Sequence, residues 1–371
     1  MKLLFTPGPL TTSDAVKQAM LRDLGSRDHE FIATVRGIRR DLLSLCGPGA
    51  DSYEAIPMQG SGTFSIESVI SSAIPRDGSL LVLVNGAYGK RMAKIANIHG
   101  IACRQIAFPE NKPVDPAVVR EELIHDPATH VAAVHCETTT GLLNPVEEIG
   151  AIVRAAGRAF IVDAMSSFGG IPLNVAGADI DFLVSSANKC IEGVPGFGFV
   201  IARRDALQQC RGQARTLSLD LYDQWDALER DGQFRFTPPT HVLLAFRQAL
   251  DELNHEGGIA ARAARYRKNA ATLVGGMREL GFETYLADER RSDIITTFRY
   301  PASARFNFES FYRRLSDAGF VIYPGKLTTD DCFRIGSVGH VTEKEIRALL
   351  ASIREVLATM GATAQDAAAS S

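Results

Sequence analysis

The 371-residue sequence lacks the features that mark membrane proteins and nucleic-acid-binding proteins. No stretch approaches the roughly 18 consecutive apolar residues of a membrane-spanning helix, and the apolar run in the N-terminal MKLLFTPGPL is too short for a signal peptide. The net charge is only −3, and no long run has one sign, so neither a nucleic acid nor a membrane surface is indicated as a partner. We therefore expect a cytoplasmic protein.

Cysteine is scarce and is not arranged for cross-links or for zinc. The six cysteines include no C-x-x-C pair, and their spacing is typical of neither a disulfide framework nor a zinc site. We expect reduced, buried thiols, as in cytosolic proteins. The sequence also lacks the G-x-G-x-x-G and G-x-S-x-G runs, which disfavours a nicotinamide-dependent dehydrogenase and a hydrolase with a nucleophile elbow.

The apolar pattern that is present predicts an α/β fold. Short continuous apolar runs alternate with helical patterns up to about residue 240 and predict the strands SLLVLV (79–84), HVAAVHC (130–136), AFIVDA (159–164), DFLVSS (181–186) and GFVIAR (198–203). This alternation is typical of a mostly parallel sheet covered by helices on both faces. Such sheets bind ligands beyond the carboxyl ends of their strands.

The pattern after residue 240 differs and predicts a second, smaller α+β domain. Helical stretches at 241–255 and 259–280 are followed by short strand-like runs and by a last helix at 343–360 that opens with a capping box, Thr342 and Glu345. We expect a large domain over 1–250, whose N-terminal segment packs on the small domain. The small domain should cover 251–360, and a disordered tail should cover 361–371.

The start of one predicted helix and the end of one predicted strand carry polar groups that suit a ligand. In QGSGTFSIESVI, Ser61, Gly62 and Thr63 lead directly into a helix, whose free N–H groups and dipole suit a phosphate. An ordinary capped helix is the alternative. Asp163 ends the strand in AFIVDAMSSFGG and can pair with a cation, or it can simply be a loop carboxylate. No cluster of metal-ligating residues accompanies it, so we expect no metal.

A lone lysine, Lys189, follows the strand in DFLVSSANKCIEG among small neighbours. Desolvation favours the neutral, nucleophilic form of a lysine amine, although a purely structural lysine is the alternative. Strand ends of a parallel sheet lie close together, so Lys189, Asp163 and the Ser61–Thr63 turn can face one crevice. Pyridoxal 5′-phosphate needs all three groups: a lysine for its aldehyde, a carboxylate for its ring nitrogen and an anion site for its phosphate. A non-catalytic binding protein leaves this combination unexplained.

The motifs carry a family resemblance over nearly the whole chain, from residue 6 to residue 339. They are TPGPLTT, GSRDHEF, QGSGT, NGAYGKR, HCETTTGLLNP, VDAMSSFGG, SSANKCIEGVPGFGF, FTPPTH and FRIGSVG. The chain resembles the class V, fold-type I aminotransferases, which use pyridoxal phosphate. GSRD, HCETTTG and SSANKC resemble more narrowly the branch of that family that acts on a phosphonate.

The resemblance implies the roles of individual residues. Lys189 would bond to the cofactor aldehyde and then move the proton, and Asp163 would pair with the ring nitrogen. Tyr88, where relatives often carry tryptophan, would stack on the ring. Asn188 replaces a glutamine that is common in relatives. The whole implied cofactor-binding set is Ser61, Gly62, Thr63, Tyr88, Thr138, Asp163, Asn188, Lys189 and Thr237.

The resemblance also implies the substrates and the assembly. The amino donor would be 2-aminoethylphosphonate and the acceptor pyruvate, in a ping-pong reaction of phosphonate degradation. An alanine–glyoxylate or serine–pyruvate aminotransferase is the alternative within the family.

The resemblance also implies which residues bind the substrates. Arg334 would bind the substrate carboxylate, although by pattern alone it can be a solvent-exposed edge-strand residue. Ser26 and Arg27 would contact the phosphonate. Thr237 of one subunit would bind the cofactor phosphate of the other, which implies a homodimer with shared active sites.

Overall fold

The computed structural model describes residues 2–325, 327 and 330–362. The tail predicted for 361–371 therefore lies, apart from its first two residues, outside the described residues. The strands are β1 (Leu3–Leu4), β2 (Tyr53–Gln59), β3 (Ser79–Val84), β4 (Ala102–Ala107), β5 (His130–Val134), β6 (Cys136–Glu137), β7 (Leu142–Leu143), β8 (Ala159–Asp163), β9 (Phe182–Ser186), β10 (Phe197–Arg203), β11 (Ile295–Arg299), β12 (Phe320–Val321), β13 (Tyr323–Pro324) and β14 (Cys332–Gly336).

The helices cover the faces of these sheets and connect their strands. They are α1 (Asp14–Gln18), α2 (His29–Ser44), α3 (Gly62–Ala73), α4 (Ala87–Ile98), α5 (Pro116–His125), α6 (Val146–Ala155), α7 (Arg204–Gln209), α8 (Leu221–Arg230), α9 (Thr240–Glu256), α10 (Gly258–Glu279), α11 (Phe308–Asp317) and α12 (Glu343–Met360). Short 3₁₀ turns occupy Ala19–Leu21, Ala50–Ser52 and Asp288–Arg290.

A seven-stranded sheet in the order β2-β10-β9-β8-β5-β3-β4 is the centre of the larger body. The neighbours from β9 through β8, β5 and β3 to β4 pair in parallel, whereas β10 is antiparallel to both β2 and β9. Continuous apolar strands such as β5 and β9 are buried along their whole length, as expected for a sheet covered on both faces. The carboxyl ends of β2, β3, β5, β8 and β9 therefore meet at one edge.

A smaller body is built on the three-stranded antiparallel sheet β11-β14-β13. Its core contains phenylalanines of this sheet and of α11 packed against the apolar stripe of α12. The predicted capping box of α12 is present, because Glu345 Oε2 accepts from Thr342 N (2.8 Å) and Thr342 Oγ1 accepts from Lys344 N (3.3 Å). These bonds satisfy amide groups that an α-helix leaves free at its start.

The N-terminal segment lies on this smaller body rather than on the large sheet. β1 pairs in parallel with β12, and Phe5 is buried in the same core as α11 and α12. Further along, His340 N donates to Thr11 O (2.7 Å), which ties the segment to the loop after β14. Residues 6–10 are thereby held between the two bodies. The domain limits given above remain a prediction.

Several elements differ from the sequence expectation for local reasons. The helix expected from residue 12 is short, since α1 ends at Gln18 and continues only as a 3₁₀ turn that leaves Leu21 85% exposed. β2 and α2 were not predicted. The apolar run of β2 is interrupted by Glu54 and Pro57, and Pro57 is tolerated because β2 is an edge strand of the sheet.

Candidate active site

The strand ends at the carboxyl edge of the large sheet surround a cavity of about 190 Å³. Seven residues named from the sequence line it: Ser61, Gly62, Thr63, Tyr88, Asp163, Asn188 and Lys189. The topology brings them together because β2, β8 and β9 run in the same direction and end at the same edge of the sheet, with β10 between β2 and β9. What each of them binds stays a prediction.

Lys189 lies on a turn that follows β9, three residues beyond the last strand residue. Its Nζ donates to the backbone oxygens of Pro7 (3.0 Å) and Gly8 (3.1 Å). Gly8 has a φ of +113°, and a Cβ there would lie 2.7 Å from Lys189 Cδ. Only glycine therefore allows the N-terminal segment to approach the lysine this closely. Nothing in the local sequence around Lys189 indicated this contact.

Asp163 is the last residue of β8 and is 6% exposed. Its Oδ1 accepts from Met165 N at 2.9 Å. Burial raises the pKa of this carboxyl from its ordinary value to about 6, although the Met165 amide and the positive charges of Arg91 and Lys189 act in the opposite direction. A cation brought next to this carboxylate would offset part of the cost of burying it.

The Ser61–Gly62–Thr63 segment begins α3, and Ser61 at the N-cap makes no side-chain capping bond. Gly62 is packed so closely that a Cβ would lie 1.9 Å from Met165 Sδ. The missing Cβ of Gly62 leaves room for the Met165 side chain, and the helix start presents backbone N–H groups and the Ser61 hydroxyl. This is the chemistry of an anion site at a helix N-terminus.

Tyr88 lies in the first turn of α4, and its hydroxyl accepts from Thr138 Oγ1 at 3.1 Å. The fully buried Glu137 holds this turn, since its Oε2 accepts from Tyr88 N at 3.2 Å and its Oε1 accepts from Thr139 N at 3.2 Å. Burial raises the pKa of Glu137 to about 7. Thr138 thus reaches the site through its bond to the tyrosine.

Arg334 is 1% exposed and lies in β14, the central strand of the smaller sheet. The alternative of an edge-strand arginine in solvent is therefore wrong. Its Nη1 donates to Thr138 O (2.9 Å) and its Nε to Pro324 O (3.0 Å). These bonds connect the smaller body to the rim of the cavity, and desolvation lowers the pKa of the guanidinium. Arg334 itself is not among the cavity-lining residues.

Three other predicted residues lie elsewhere in this chain. Ser26, Arg27 and Thr237 line a separate surface groove of about 350 Å³. This groove adjoins the end of β2, because Gln59 Nε2 donates to Thr237 O at 3.0 Å. A single chain therefore does not bring them into the lysine cavity, and the roles given to them above remain predictions.

Arg91 and Glu137 are residues of this site that the sequence analysis missed. Arg91 lines the cavity, its Nη1 donates to Thr63 Oγ1 (3.2 Å), and its guanidinium carbon lies 4.9 Å from the centre of the Tyr88 ring. The signal was present, since Arg91 follows Tyr88 by one helical turn in NGAYGKR. Glu137 was noted only as part of the HCETTTG motif, and the sequence did not indicate that this carboxylate is buried and bonded to the turn of Tyr88.

The donor set of the cavity fits pyridoxal 5′-phosphate. A lysine amine, a buried carboxylate and a glycine-containing helix start open into one space, with a tyrosine ring beside them. Gly62 leaves no Cβ where the helix start faces the cavity. Among the residues that the structure describes, no group of three or more histidine, cysteine, aspartate or glutamate side chains could hold a metal ion.

Residues 12–349 match the family described as Aminotransferase class-V, so the chain belongs to the class-V aminotransferase family. Two similar proteins are named 2-aminoethylphosphonate–pyruvate transaminase. The one from Syntrophobacter fumaroxidans is 54% identical over 97% of this chain and 97% of its own length. The one from Klebsiella pneumoniae is 52% identical over 95% of this chain and 96% of its own length.

Solved structures of aminotransferases share this fold. The ureidoglycine–glyoxylate aminotransferase of Bacillus subtilis superimposes with a TM-score of 0.89 over 97% of this chain and 94% of that chain, at 23% identity. The alanine–glyoxylate aminotransferase of Nostoc sp. gives 0.87 over 96% and 95%, at 25% identity. The α/β, fold-type I architecture expected from the motifs is confirmed. In the described part of the chain, no helix is both long and apolar enough to cross a membrane.

Proposed function

We propose that the protein transfers the amino group of 2-aminoethylphosphonate to pyruvate, which yields phosphonoacetaldehyde and L-alanine, with pyridoxal 5′-phosphate as its cofactor. The observation that carries the proposal is the convergence of Lys189, Asp163 and the Ser61–Thr63 helix start on one cavity. The relatives of more than 50% identity over nearly the whole chain support the choice of substrates. Both substrates are small molecules.

The residues of the cavity have distinct tasks in holding the cofactor. Lys189 would form the covalent bond, Asp163 would pair with the protonated ring nitrogen, and Tyr88 would cover one face of the ring. The helix start at Ser61–Thr63 and Asn188 would hold the phosphate. When bound, the cofactor supplies an electron sink for the charge that remains when the donor loses a proton.

Lys189 is the base of the proposed reaction. After the donor amine displaces it, the Nζ amine would remove a proton from carbon 2 of 2-aminoethylphosphonate, the carbon that bears the amino group. In the second half-reaction the same group delivers a proton to carbon 2 of the developing alanine. Gly8 places no side chain beside the amine, since a Cβ there would lie 2.8 Å from Nζ.

Arg334 would bind the carboxylate of pyruvate or alanine. Its Nε and Nη1 already donate to backbone oxygens, which fixes the plane of the guanidinium. The remaining N–H groups are those that can donate to a substrate oxyanion.

The phosphonate contacts and the assembly are part of the same proposal. Ser26 and Arg27 are proposed to contact the phosphonate, and Thr237 of a second subunit is proposed to bind the cofactor phosphate. This requires a homodimer with shared sites. The six free thiols suit the cytoplasm.

A second candidate is an alanine–glyoxylate or serine–pyruvate aminotransferase. The TM-score of 0.87 against an alanine–glyoxylate aminotransferase favours keeping it as the alternative. The two candidates share the cofactor and the lysine and differ only in the groups that recognise the substrates.

The test is alanine formation from pyruvate with 2-aminoethylphosphonate or serine as donor, together with glycine formation from glyoxylate with alanine as donor. We expect turnover with 2-aminoethylphosphonate and pyruvate, and little with serine. Lys189→Ala should be inactive, whereas Lys94→Ala, an exposed lysine of α4, should be fully active. Alanine formation with serine alone would assign the second candidate instead.

A further inference from the structure

Glu192 closes the turn that carries Lys189. Its backbone N donates to Lys189 O at 2.7 Å, and its φ is 67°, in the left-handed region that residues with a Cβ rarely occupy. Such a conformation persists only where surrounding contacts hold it, and it is found preferentially at functional sites. The contacts that hold Glu192 therefore also hold the turn of the lysine.

The Glu192 side chain supplies these contacts. It is 2% exposed, and its Oε1 accepts from Tyr266 OH (2.6 Å) and from Arg265 Nη2 (2.8 Å). Both partners belong to α10. The same helix also holds the backbone next to the lysine, because Arg262 Nη1 donates to Cys190 O at 2.6 Å. The turn is thus attached to α10 by its own carboxylate and by a carbonyl.

α10 is attached equally firmly to the segment that follows β14, the strand of Arg334. Arg265 Nη1 donates to Gly339 O (2.6 Å) and to Val341 O (3.0 Å). Asn269 Nδ2 donates to Val341 O as well, at 3.0 Å. One guanidinium therefore contacts both the carboxylate next to Lys189 and the chain that continues from Arg334.

We propose that Glu192 is a positioning residue, whose carboxylate holds the 189–192 turn so that Lys189 enters the cavity and, through Arg265, keeps this turn in register with the strand of Arg334. Glu192 is not among the residues that line the cavity. The inference depends on the proposed function for the role of Lys189 but not on the identity of the amino donor. The Glu192 carboxylate is an acceptor shared by the buried hydroxyl of Tyr266 and the partly buried guanidinium of Arg265.

Three substitutions separate the side-chain contacts from the backbone conformation. Glu192→Gln keeps an Oε1 that can accept from both Tyr266 and Arg265. Glu192→Gly removes these contacts, although glycine adopts a φ of 67° without strain. Should the glycine variant fail to fold, Tyr266→Phe removes only one of the two donors to Oε1 and keeps the packed ring. Asp181→Asn is the matched control, since Asp181 is a buried carboxylate paired with Arg203 (3.0 Å) at the opposite end of β9.

The measurements are the visible circular dichroism per bound pyridoxal phosphate, which reports the orientation of the cofactor, and the single-turnover rate with 2-aminoethylphosphonate. For Glu192→Gly we expect a clearly reduced dichroic signal and a rate lowered at least about tenfold, as for a misplaced catalytic group. Tyr266→Phe should show a smaller change in the same direction. Glu192→Gln should restore both readouts, and Asp181→Asn should leave both unchanged.

Wild-type dichroism and rate in Glu192→Gly, or in Tyr266→Phe if the glycine variant does not fold, would overturn the inference. Equal losses of dichroism and rate in Asp181→Asn would overturn it too, because the losses would then result from a general loss of protein stability. The dichroism needs no substrate, so a wild-type protein that binds the cofactor but ignores 2-aminoethylphosphonate contradicts the proposed donor alone. A protein that binds no pyridoxal phosphate overturns both.

Discussion

Asp163→Asn should change stability and cofactor binding in opposite directions. In the wild type, Asp163 Oδ1 accepts from Met165 N at 2.9 Å. Asparagine has the shape of aspartate, so its Oδ1 can accept the same hydrogen bond. The substitution therefore removes a charge without removing the bond that orients the side chain. In the chain without cofactor this charge is a cost, because burial raises the pKa of Asp163 from 3.8 to about 6.

The sign follows from proton linkage. Because the folded carboxyl has the higher pKa, the folded chain holds a proton that the unfolded chain has released between about pH 4 and pH 6. The contribution of Asp163 to the free energy of unfolding therefore falls as the pH rises through this window. The difference between 3.8 and about 6 corresponds to about 3 kcal/mol above pH 6, and to roughly half of that at pH 5.

Cofactor binding should respond in the other direction. A charged hydrogen bond to the ring nitrogen is worth about 1.5–3 kcal/mol, so its loss should weaken the affinity for pyridoxal phosphate roughly 10- to 100-fold. The same carboxylate that destabilises the cofactor-free chain would thus be retained because it binds the cofactor. For a carboxyl with a purely structural role, the substitution would not raise the free energy of unfolding while lowering the affinity for the cofactor.

The assay is urea unfolding of the cofactor-free wild type and Asp163→Asn at pH 5 and pH 8, with a spectroscopic titration of pyridoxal phosphate at pH 8. Asp181→Asn is the control and should lose stability, because it removes the charge that pairs with the partly buried Arg203 at 3.0 Å. A variant that is less stable than the wild type at pH 8, or that binds the cofactor with wild-type affinity, refutes the reasoning.

The remaining predictions concern the other residues around the cavity. Gly62→Ala should weaken pyridoxal phosphate binding about tenfold, because its Cβ would lie 1.9 Å from Met165 Sδ and displace that side chain; unchanged affinity in a titration would contradict the close packing. In Lys189→Ala, borohydride reduction should attach no cofactor to the protein, and a label on another lysine would reject Lys189 as the attachment point. Arg334→Lys should raise the pyruvate KM about 10- to 100-fold through loss of the planar donor fork, and an unchanged KM would remove Arg334 from substrate binding.

The groups at the strand ends could be predicted from the sequence because each lies next to a strand or helix that the local sequence pattern predicts. Apolar runs locate β8 and β9. Asp163 ends β8 and Lys189 follows β9, so both side chains lie at one edge of a parallel sheet. The glycine-containing start of α3 is readable in the same way. These residues lie within a few positions of a predictable strand or helix, so their location in the fold follows from the secondary structure alone.

Contacts between distant segments were not predictable in this way. The oxygens of Pro7 and Gly8 reach Lys189 only because β1 pairs with β12 and directs the N-terminal segment across the cavity. Arg334 is buried rather than exposed because β14 lies between β11 and β13, and a sequence run does not show which strand is central. Ser26 and Arg27 lie in a groove that no local pattern connects to the lysine.

The sequence by itself determined the α/β architecture, the family and the set of groups that a pyridoxal phosphate enzyme needs, because apolar periodicity and residues next to strand ends are properties of short segments. Only the tertiary structure decided how these groups are held. The attachment of the Lys189 turn to α10 through Glu192, and the bond from Arg334 to Thr138, join segments more than 70 residues apart. Such contacts exist only once two bodies have packed, since nothing in the local sequence specifies which distant donor a buried acceptor will find.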